Sequence, residues 1–402
     1  MSTLTLTRFD DVARAFRHPD LAQSLYDEGA VVMADVLLNL HGEAHRARRR
    51  LENRLFRRDV FRYYEREVIP ALATRTMAPF VAAGRADLVA LGYRITMNLT
   101  ADFAGLDRVE QTPEETEALL ALVMTFSEGA TLVHSTRDKD EVRAEVREAM
   151  RRLDERFLVR SVARRRALLA EVAAGRLPES ELPRDVLTVL LRNDDKLALG
   201  EDVIRREVAF YLQAGSHSTA NSMTHALHDI FTWCAAHREG WSRIDREPFF
   251  LQRCVHESMR LHPASPVAWR RAVCPAHAPS GAALAPDDRV VLDLLAANQD
   301  PEVFGADAAT FNPDRVLAED VPPFGLTFGT GVHACIGQDL DAGLAPRADT
   351  DAAEHLYGSV PVLVKMLLDA GARPDPANPP VADTRTARAN WGVYPVLFRG
   401  PG

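Results

Sequence analysis

The decapeptide FGTGVHACIG, residues 328–337, brings three glycines, a histidine and a cysteine together. Glycine-rich backbone can approach a ligand closely and can direct its N–H groups at a thiolate sulfur, which stabilises the negative charge there. Cys335 could therefore be a nucleophile, a redox thiol or a metal ligand. A nucleophile needs a base held against it, and the sequence leaves the direction of His333 open. A redox thiol works best with a second cysteine, and none is nearby. Of the three roles, that of a ligand accounts best for the glycines.

A single cysteine cannot complete a closed metal site, so a metal bound by Cys335 has to bring further ligands. Haem meets this requirement, because the porphyrin supplies four ligands and the thiolate supplies a fifth. The two haem propionates need cationic or hydrogen-bonding partners, for which the planar guanidinium of arginine is well suited. The candidates are His45 and Arg49, four residues apart on one face of a predicted helix, Arg270 and Arg271 just before a predicted strand, and His333 beside the thiol.

Two further groups of residues have less specific patterns. Within AGSHST, residues 214–219, glycine and hydroxyl side chains interrupt an apolar helical pattern, so we expect a local opening of that helix. Glu257 and Arg260 lie three residues apart on one helical face, and Arg315 can add a second cation to the same glutamate. Ion pairs of this kind are common on surfaces, where they contribute well under ~1 kcal/mol. This spacing alone does not indicate a site.

Most of the chain shows helical periodicity, and only a few short stretches show the pattern of strands. A predicted helix over 202–231 would be about 45 Å long and carries AGSHST near its centre. The sequence therefore predicts a mainly α fold with small β-sheets, of the α+β class, in one domain. The other predicted elements are helices within 8–21, 43–56, 59–104, 112–132, 139–174 and 177–191, and strands at 288–295 and 394–398.

Composition limits the classes of function. The chain has 402 residues, 47% of them hydrophobic, and a net charge of −9, which argues against nucleic-acid binding because that needs a basic surface. No apolar stretch reaches the ~20 residues of a membrane helix, and the first residues lack the features of a signal peptide. We therefore expect a cytoplasmic protein without a membrane anchor. Cys234, Cys254 and Cys274 form no CxxC pair and are interpreted as inert buried thiols.

Taken in order along the chain, five motifs make the sequence resemble the cytochrome P-450 haem-thiolate monooxygenases of the soluble bacterial type. The resemblance extends roughly over residues 4–340 and the C-terminal strand. Its most specific part is the loop around Cys335, with the spacing Phe-x-x-Gly-x-x-x-Cys-x-Gly. The five motifs are HRARR (45–49), AGSHST (214–219), ESMR (257–260), AANQDPEVFGADAATFNPDR (296–315) and FGTGVHACIG (328–337).

The resemblance implies a fold in which haem b lies between a long central helix and the cysteine loop, within a single domain over residues 1–402. It implies insertion of one oxygen atom from O2 into an apolar small organic substrate, free or carrier-bound, by hydroxylation or epoxidation in a biosynthetic pathway. Electrons would come from NAD(P)H through ferredoxin reductase and ferredoxin. The implied site residues are Cys335 as axial ligand of the iron; His45, Arg49, Arg270, His333, Phe328 and Gly329 around the haem; Glu257, Arg260 and Arg315 as a fold-building cluster; and Ala214, Val267, Ala268 and Val393 in the substrate pocket.

The central helix departs from the family pattern. Where the family has an acid followed by a threonine, this chain has His217 and Ser218, followed by Thr219. We hypothesise that His217 and Ser218 still deliver protons to the catalytic centre, because imidazole titrates near neutral pH and serine retains the alcohol. Two alternatives stay open. The enzyme could catalyse a modified reaction such as coupling, desaturation or rearrangement, or His217 could be a tolerated residue beside a water channel.

Two further departures concern the structure. The family normally has a helix and two strands before LTLTRFDD, so the N-terminus looks shortened. Proline and glycine predict an interruption at about 341–361 in the helix after the cysteine. This helix lies on the thiolate face that normally receives the electron donor, so ferredoxin docking is in question. The residues responsible are Pro346, Gly358 and Pro361. A basic patch could still attract an acidic partner; it comprises Arg46, Arg48, Arg50 and Arg54, of which Arg46 and Arg48 are read as a solvated face.

Two other functions stay open on the sequence. A degenerate haem-binding protein would carry haem without activating oxygen, or would help to recruit a carrier-bound substrate. A peroxide-driven enzyme would turn over with hydrogen peroxide alone and would need no redox partner. Oxygen consumption in the presence of a bound ligand separates the first of these from a monooxygenase.

Overall fold

The structure, a computed structural model, describes residues 2–197 and 199–398. In these residues it is mainly α-helical with four small sheets, so the predicted fold class is confirmed. None of the helices described is long and apolar enough to span a bilayer. The single domain over 1–402 and its shortened N-terminus stay predictions, and residues 1, 198 and 399–402 lie outside the described residues.

The helices are α1 (Phe9–Arg17), α2 (Ala30–Met33), α3 (Gly42–Glu52), α4 (Arg58–Tyr63), α5 (Ile69–Ala82), α6 (Leu88–Ala104), α7 (Pro113–Ala130), α8 (Lys139–Leu153), α9 (Val159–Ala173), α10 (Val186–Arg192), α11 (Asp194–Leu197), α12 (Glu201–Ala236), α13 (Glu239–Arg246), α14 (Phe250–Leu261), α15 (Leu294–Ala297), α16 (Pro301–Phe304), α17 (Gln338–Asp341) and α18 (Ser359–Asp369). The strands are β1 (Thr3–Leu6), β2 (Leu21–Gln23), β3 (Arg85–Asp87), β4 (Val267–Ala272), β5 (Ala276–His277), β6 (Ala283–Leu284), β7 (Arg289–Asp293), β8 (Arg373–Pro374), β9 (Val381–Ala382), β10 (Trp391–Val393) and β11 (Pro395–Leu397).

Hydrophobic side chains pack on both sides of α12. One cluster lies between α12 and the helices α6, α7 and α8, and includes Leu212 and Phe126. A second lies between α12 and the helices α5, α14 and α18, and includes Leu227 and Leu363. A third cluster packs α1 against the sheet that contains β7. Because α12 is surrounded in this way, its polar residues are held in the interior of the molecule.

The helix α12 crosses the molecule over 36 residues, about 54 Å at the standard rise. Contrary to the prediction of a local opening, it runs unbroken through residues 214–219. Ser216 and Ser218 each donate their hydroxyl to the carbonyl four residues back, at 2.7 Å, so the hydroxyls are satisfied within the helix. Gly215 lets α6 approach closely, because a Cβ at this position would lie 2.6 Å from Thr100 Cγ2. The packing of α6 thus overrides the weak helical preference of this stretch.

The four-stranded sheet has the order β1–β7–β4–β2, with β1 parallel to β7 and the other pairs antiparallel. Arg270 lies within β4, opposite Val290, whereas the sequence placed it just before a strand. Since side chains alternate along a strand, Arg270 is buried while Arg271 is exposed. The pairing of β4 therefore selects Arg270 as the arginine that points inward.

A buried ion pair joins α3 to α12. Arg48 Nη1 lies 2.6 Å from Glu207 Oε2, and both side chains are buried. The N–H of Leu37 also donates to this carboxylate. Burial raises the pKa of Glu207 to about 7, while Arg48 acts to lower it. The prediction that Arg48 lies on a solvated face is therefore wrong, because it is drawn inward by a carboxylate; Arg46 does lie exposed, paired with Glu43.

Glu257, Arg260 and Arg315 meet in the interior and connect α14 to the chain after α16. Arg260 donates to both Glu257 oxygens, at 2.7 and 2.6 Å, and Arg315 Nε donates to Glu257 Oε1 at 3.1 Å. The three side chains are at most 6% exposed. Removing one member of such a buried group leaves an uncompensated charge. The contacts agree with the fold-building role that the resemblance implies.

Residues 342–358, between α17 and α18, form a closed loop that we call the interhelix loop. Gly343 (φ +72°) and Gly358 (φ +94°) cross at its base, where a Cβ on either glycine would lie 2.2–2.3 Å from the backbone of the opposite end of the loop. Gln252 donates to three of the loop's carbonyls, and the Glu65 carboxylate accepts from its last two N–H groups. The loop is therefore bonded to α14 and to the helical chain between α4 and α5.

Removing Arg48 should leave the Glu207 carboxylate buried without its cation. We expect Arg48→Leu to lower the free energy of unfolding by about 3–5 kcal/mol, measured by urea unfolding of the purified protein. The control Arg46→Leu removes an exposed pair and should cost less than about 1 kcal/mol. Equal losses in the two variants would contradict the importance of the buried pair.

Candidate functional site

A cavity of about 370 Å³ lies between α12, the cysteine loop (328–337), α3 and β4. Thirteen predicted site residues line it. They are His45, Arg49, Ala214, His217, Ser218, Thr219, Val267, Ala268, Arg270, Phe328, Gly329, His333 and Cys335. Val393 is not among the lining residues, and its prediction as a pocket residue was wrong, because β10 turns its side chain to the surface, where it is 42% exposed.

The cysteine loop presents the Cys335 thiol to the cavity. The Cys335 N–H donates to the Phe328 carbonyl at 2.8 Å, which closes the loop. Gly331, at the turn, has φ of +76°, a conformation that favours glycine. The backbone N–H groups of Gly337 and Gln338 act to lower the pKa of the thiol. The loop thus has the N–H donors that the sequence led us to expect.

The Cys335 side chain is exposed to the cavity, but desolvation by the surrounding protein outweighs these donors and raises the pKa of the thiol to about 11. A free thiol with this pKa stays protonated at neutral pH, whereas a thiol that coordinates a metal ion is deprotonated. The site therefore stabilises a thiolate when a metal cation binds it. This agrees with the ligand role rather than with a free nucleophile.

Imidazole and guanidinium groups converge on a neighbouring part of the wall. The ring centroids of His45 and His333 lie 4.2 Å apart, and Arg49 Nη2 donates to the Ala334 carbonyl at 2.8 Å. Both ring nitrogens of His333 and Nε of Arg270 are buried without a hydrogen-bond partner. Burial lowers the pKa of His45 to about 4 and that of His333 to about 3. Both rings are therefore neutral at pH 7 and can donate hydrogen bonds to an anion beside the guanidinium groups.

These residues fit haem. The thiol needs a bound metal cation, and the neighbouring donors have unused hydrogen-bonding capacity and no carboxylate partner among the described residues. A site that receives two propionates requires this donor set. Cys335 would be the axial ligand; the residues that would hold the propionates are His45, Arg49, Arg270 and His333.

On α12, His217 is held by Tyr93 of α6. The Tyr93 hydroxyl hydrogen-bonds to His217 Nδ1 and accepts a hydrogen bond from Asn221 Nδ2 at 3.3 Å. When the Tyr93 hydroxyl donates to Nδ1, the imidazole proton lies on Nε2, and Nε2 is buried without a partner. Burial lowers the pKa of His217 well below its usual value. The prediction that His217 titrates near neutral pH is wrong for this enclosed site.

The next two hydroxyls of α12 have different partners. Ser218 Oγ donates to the Ala214 carbonyl at 2.7 Å, which leaves its lone pairs to accept a hydrogen bond in the cavity. Thr219 Oγ1 donates to Asp341 Oδ1 at 2.7 Å, and Ser359 Oγ donates to the same oxygen at 3.1 Å. Burial raises the pKa of Asp341 to about 6. Thr219 thus ties α12 to the end of α17.

Sequence reasoning missed three polar residues that line the cavity and one that holds His217. None belongs to a motif with a chemical spacing, and each arrives through tertiary packing, from β2, α17, the chain after β9 and α6. The lining residues are Gln23, Asp341 and Arg388, and the residue that holds His217 is Tyr93. For Asp341 the sequence contained one signal that could have identified it, because this acid stands at the start of the predicted interruption at 341–361.

A cysteine loop, a long helix and a set of propionate donors around one cavity define the class of haem-thiolate proteins. Residues 36–341 match the family model described as Cytochrome P450. Because this match covers more than half of the chain, the chain belongs to the cytochrome P450 family, and the resemblance noted in the sequence is confirmed. Haem b is the cofactor of this family.

Curated relatives share limited identity with the chain. Pulcherriminic acid synthase of Bacillus subtilis is 24% identical over 343 residues, which cover 83% of this chain and 77% of that protein. The self-sufficient cytochrome P450 monooxygenase CYP505E3 of Phanerodontia chrysosporium is 28% identical over 192 residues, 42% of this chain and 18% of that protein. The cytochrome P450 monooxygenase gsfF of Penicillium aethiopicum is 25% identical over 231 residues, 51% and 42% of the two chains. The chain thus matches less than half the length of these two fungal proteins.

Solved structures resemble the whole chain. CalO2 has a TM-score of 0.74 at 19% identity, with 99% of this chain and 91% of that chain covered. P450BioI in complex with hexadec-9Z-enoic acid ligated acyl carrier protein has a TM-score of 0.72 at 18% identity, with 98% and 91% covered. At these identities the likeness shows the fold alone.

Asp341 should make stability depend on pH. Its pKa is about 6 in the folded protein and about 3.9 in an unfolded chain, so the folded state binds the proton more tightly. Stability due to this group is therefore present below about pH 4 and is lost as pH rises to about 6. We expect Asp341→Asn, which can still accept from Thr219, to match the wild type near pH 4 and to exceed it by about 3 kcal/mol above pH 6.

Urea unfolding between pH 4 and pH 8 measures this difference. The control is Asp339→Asn, the same change two positions earlier on a side chain that is 30% exposed. Stability curves for Asp341→Asn and wild type that run parallel over the whole range would contradict the raised pKa.

Proposed function

We propose that the protein is a haem-thiolate monooxygenase that inserts one atom of O2 into an apolar small organic substrate. The observation that carries the proposal is that the Cys335 thiol and the Ser218 hydroxyl line one cavity whose wall presents a mostly apolar surface. Haem held by a thiolate activates O2 for insertion into a C–H bond or an alkene. The protein supplies orientation, protons and exclusion of water.

Each predicted site residue then has a role. Cys335 would hold the iron, and Phe328, packed edge-on against Phe324 at 4.9 Å, supports the loop beneath the cofactor. Gly329, with φ of +63°, turns the backbone close to Phe16. Thr219 acts as a positioning residue, because its hydroxyl is bonded to the Asp341 carboxyl.

We infer that His217 delivers protons as a neutral imidazole. A proton can leave Nε2 for a group in the cavity while Nδ1 takes the proton of Tyr93, so the ring stays neutral. The starting state returns when a water in the cavity gives a proton to Nε2 and Nδ1 returns its proton to the Tyr93 phenolate. Burial raises the pKa of Tyr93 to about 12, which disfavours loss of the phenol proton. Proton delivery by His217 is therefore slow unless the phenol regains its proton. Ser218, as an acceptor beside His217, can orient the receiving group. Coupling, desaturation and rearrangement are the alternative reactions for the same cavity.

The substrate is proposed to be a small molecule with a largely apolar body. The side chains around the cavity include Phe210, Ala214, Val267, Ala268 and Leu294, which suit an apolar ligand. Hydroxylation or epoxidation in a biosynthetic pathway is supported by the relative named pulcherriminic acid synthase. A carrier-bound substrate is supported by the similar fold of P450BioI, whose structure contains an acyl carrier protein.

The electron donor is proposed to be a ferredoxin, reduced by NAD(P)H through ferredoxin reductase. The chain over α3 and α4 presents exposed arginines, although Arg48 is buried and does not contribute. Arg58 lies 3.7 Å from Asp339 of α17, which places this basic surface beside the cysteine loop. An acidic ferredoxin could dock there. The exposed arginines are Arg46, Arg50, Arg54, Arg57 and Arg58.

The proposal is tested with the purified holoprotein in two steps. The dithionite-reduced protein under carbon monoxide should show the strongly red-shifted Soret band of thiolate ligation. Turnover with NAD(P)H, ferredoxin reductase and ferredoxin under ¹⁸O2 should place one labelled atom in the product. Cys335→Ser should lose both signals, whereas Cys274→Ser, a change of a cysteine remote from the cavity lining, should keep both.

A thiolate spectrum without oxygen consumption would favour the haem-binding alternative over a monooxygenase. Turnover with hydrogen peroxide in the absence of any redox partner would favour the peroxide-driven enzyme. A Soret band at the position of a neutral ligand would remove Cys335 from the iron.

Replacing His217 should impair proton supply. We expect His217→Ala to lower the fraction of NAD(P)H electrons recovered in product by about tenfold or more, because the cavity loses the Nε2 donor. The ratio of product formed to NAD(P)H consumed measures this, with hydrogen peroxide release as the complementary readout. The control is His237→Ala, an exposed histidine just after α12. Full coupling in His217→Ala would show that this histidine is a tolerated residue.

A further inference from the structure

Buried arginines in the described chain fall into two groups. Three have a carboxylate partner and two have none within ion-pair distance. The paired ones are Arg48 with Glu207 at 2.6 Å, Arg165 with Asp185 at 2.7 Å and Arg260 with Glu257 at 2.6 Å. The two without a carboxylate, Arg270 and Arg388, both line the cavity. Since a buried cation without a counter-ion is strongly unfavourable, this pattern indicates that ligands complete both sites.

Arg388 lies in the chain between β9 and β10 and is 8% exposed. Its guanidinium donates only to neutral oxygens among the described residues: Thr131 Oγ1 at 3.1 Å, the Ala264 carbonyl at 3.4 Å and Thr386 Oγ1 at 3.3 Å. These bonds use three of the five N–H groups of the side chain, so two remain for a ligand. The guanidinium is thus held in the wall of the cavity with donors unused.

No neighbouring described group pairs with this charge. Asp383, on the same segment, is paired with Arg385 at 3.1 Å. Burial raises the pKa of Tyr26, and raises that of Tyr93 to about 12, so both phenols are neutral at pH 7. Burial also lowers the pKa of His217 well below its usual value, and the guanidinium lowers it further. Apart from Asp383, whose charge Arg385 already pairs, the neighbouring groups named here are neutral, which favours an anion from outside the chain.

The location of Arg388 distinguishes it from the donors that fit the haem propionates. Besides burial, the charge of Arg388 lowers the pKa of His217 on α12. Arg270 hydrogen-bonds to groups of β2 and β4, none of which Arg388 contacts. Arg388 therefore has other hydrogen-bond partners than Arg270 and lies beside His217, while Tyr26 lies near enough to both guanidinium groups to respond to both charges.

We propose that Arg388 binds a carboxylate of the substrate and so orients an otherwise apolar molecule in the cavity. This inference rests on the proposed function, because it specifies the substrate of the same site. The ligand class is an apolar monocarboxylic acid, of the fatty acid or arylalkanoic acid type. The apolar wall receives the body of the molecule, and the guanidinium pairs with its one charged end.

The test compares acids with their neutral amides on the holoprotein. The probes are dodecanoic acid and dodecanamide, and 4-phenylbutanoic acid and 4-phenylbutanamide. Their affinities are measured by the shift of the haem absorption band and by calorimetry. The wild type should bind the acid of at least one pair about tenfold or more tightly than the amide.

Substitution at the same position should remove this preference. In Arg388→Gln the affinity for the acid should fall to that for the amide, while the amide affinity changes by less than about threefold. Arg388→Lys retains the charge and should keep part of the preference for the acid. This variant also serves as the test if Arg388→Gln fails to fold. The matched control is Arg385→Gln, three residues earlier on the same segment and already paired with Asp383; it should leave the preference unchanged.

Three results would overturn the inference. The first is a wild type that shows no preference for the acid in either pair, or that binds none of the four probes. The second is an equal loss of acid and amide affinity in Arg388→Gln, which would assign the residue a structural role. The third is a change in haem retention or in the ligand-free spectrum of Arg388→Gln with the acid preference kept, which would make it a propionate partner.

The inference and the proposed function can fail separately. Acid preference lost in Arg388→Gln, in a protein that places no labelled oxygen in product, would support the carboxylate site and reject the monooxygenase. Labelled product formed by a wild type without acid preference would support the monooxygenase and reject the carboxylate site. The binding measurements need bound haem but no turnover, which keeps the two results independent.

Discussion

Placing charge in a low-dielectric interior costs several kcal/mol per ion unless an opposite charge lies close by, and this constraint shapes the molecule. Arg48 reaches Glu207 across two helices, and Arg260 reaches Glu257 within one. At the cavity the same constraint is left unmet, because Arg270 and Arg388 have no carboxylate within ion-pair distance among the described residues. We infer that ligands bind at the places where the protein leaves charge uncompensated.

The helix α12 makes this arrangement possible, since it carries polar groups through the interior without opening. Its serine hydroxyls bond back to the helix, and Thr219 bonds outward to Asp341. His217 is held by a phenol rather than by a carboxylate. Burial lowers the pKa of the ring, so we infer that it acts as a neutral hydrogen-bonding group. Burial, rather than the type of residue, decides what the imidazole can do.

The fold class and the family could be predicted from the sequence, because the spacing in FGTGVHACIG reports local backbone geometry around Cys335. Predictions were wrong where a distant partner decides the outcome. Arg48 looks like its neighbours in an arginine run, yet it is buried by a glutamate 159 positions later. The expected opening of α12 came from local propensity, which the packing of α6 overrides. Arg388 carries no motif, so only the tertiary structure shows that it reaches the cavity.

The interhelix loop leaves and rejoins the helical chain at one point, where Gly343 and Gly358 are in backbone contact. A loop with touching ends can be lengthened without moving α17 or α18, and doubling its length costs only about 0.6 kcal/mol in closure entropy. It begins a few residues after Cys335. This position is therefore a graft point at which an electron-carrying domain could be inserted, so that electron transfer between two proteins would become transfer within one chain at a high effective concentration.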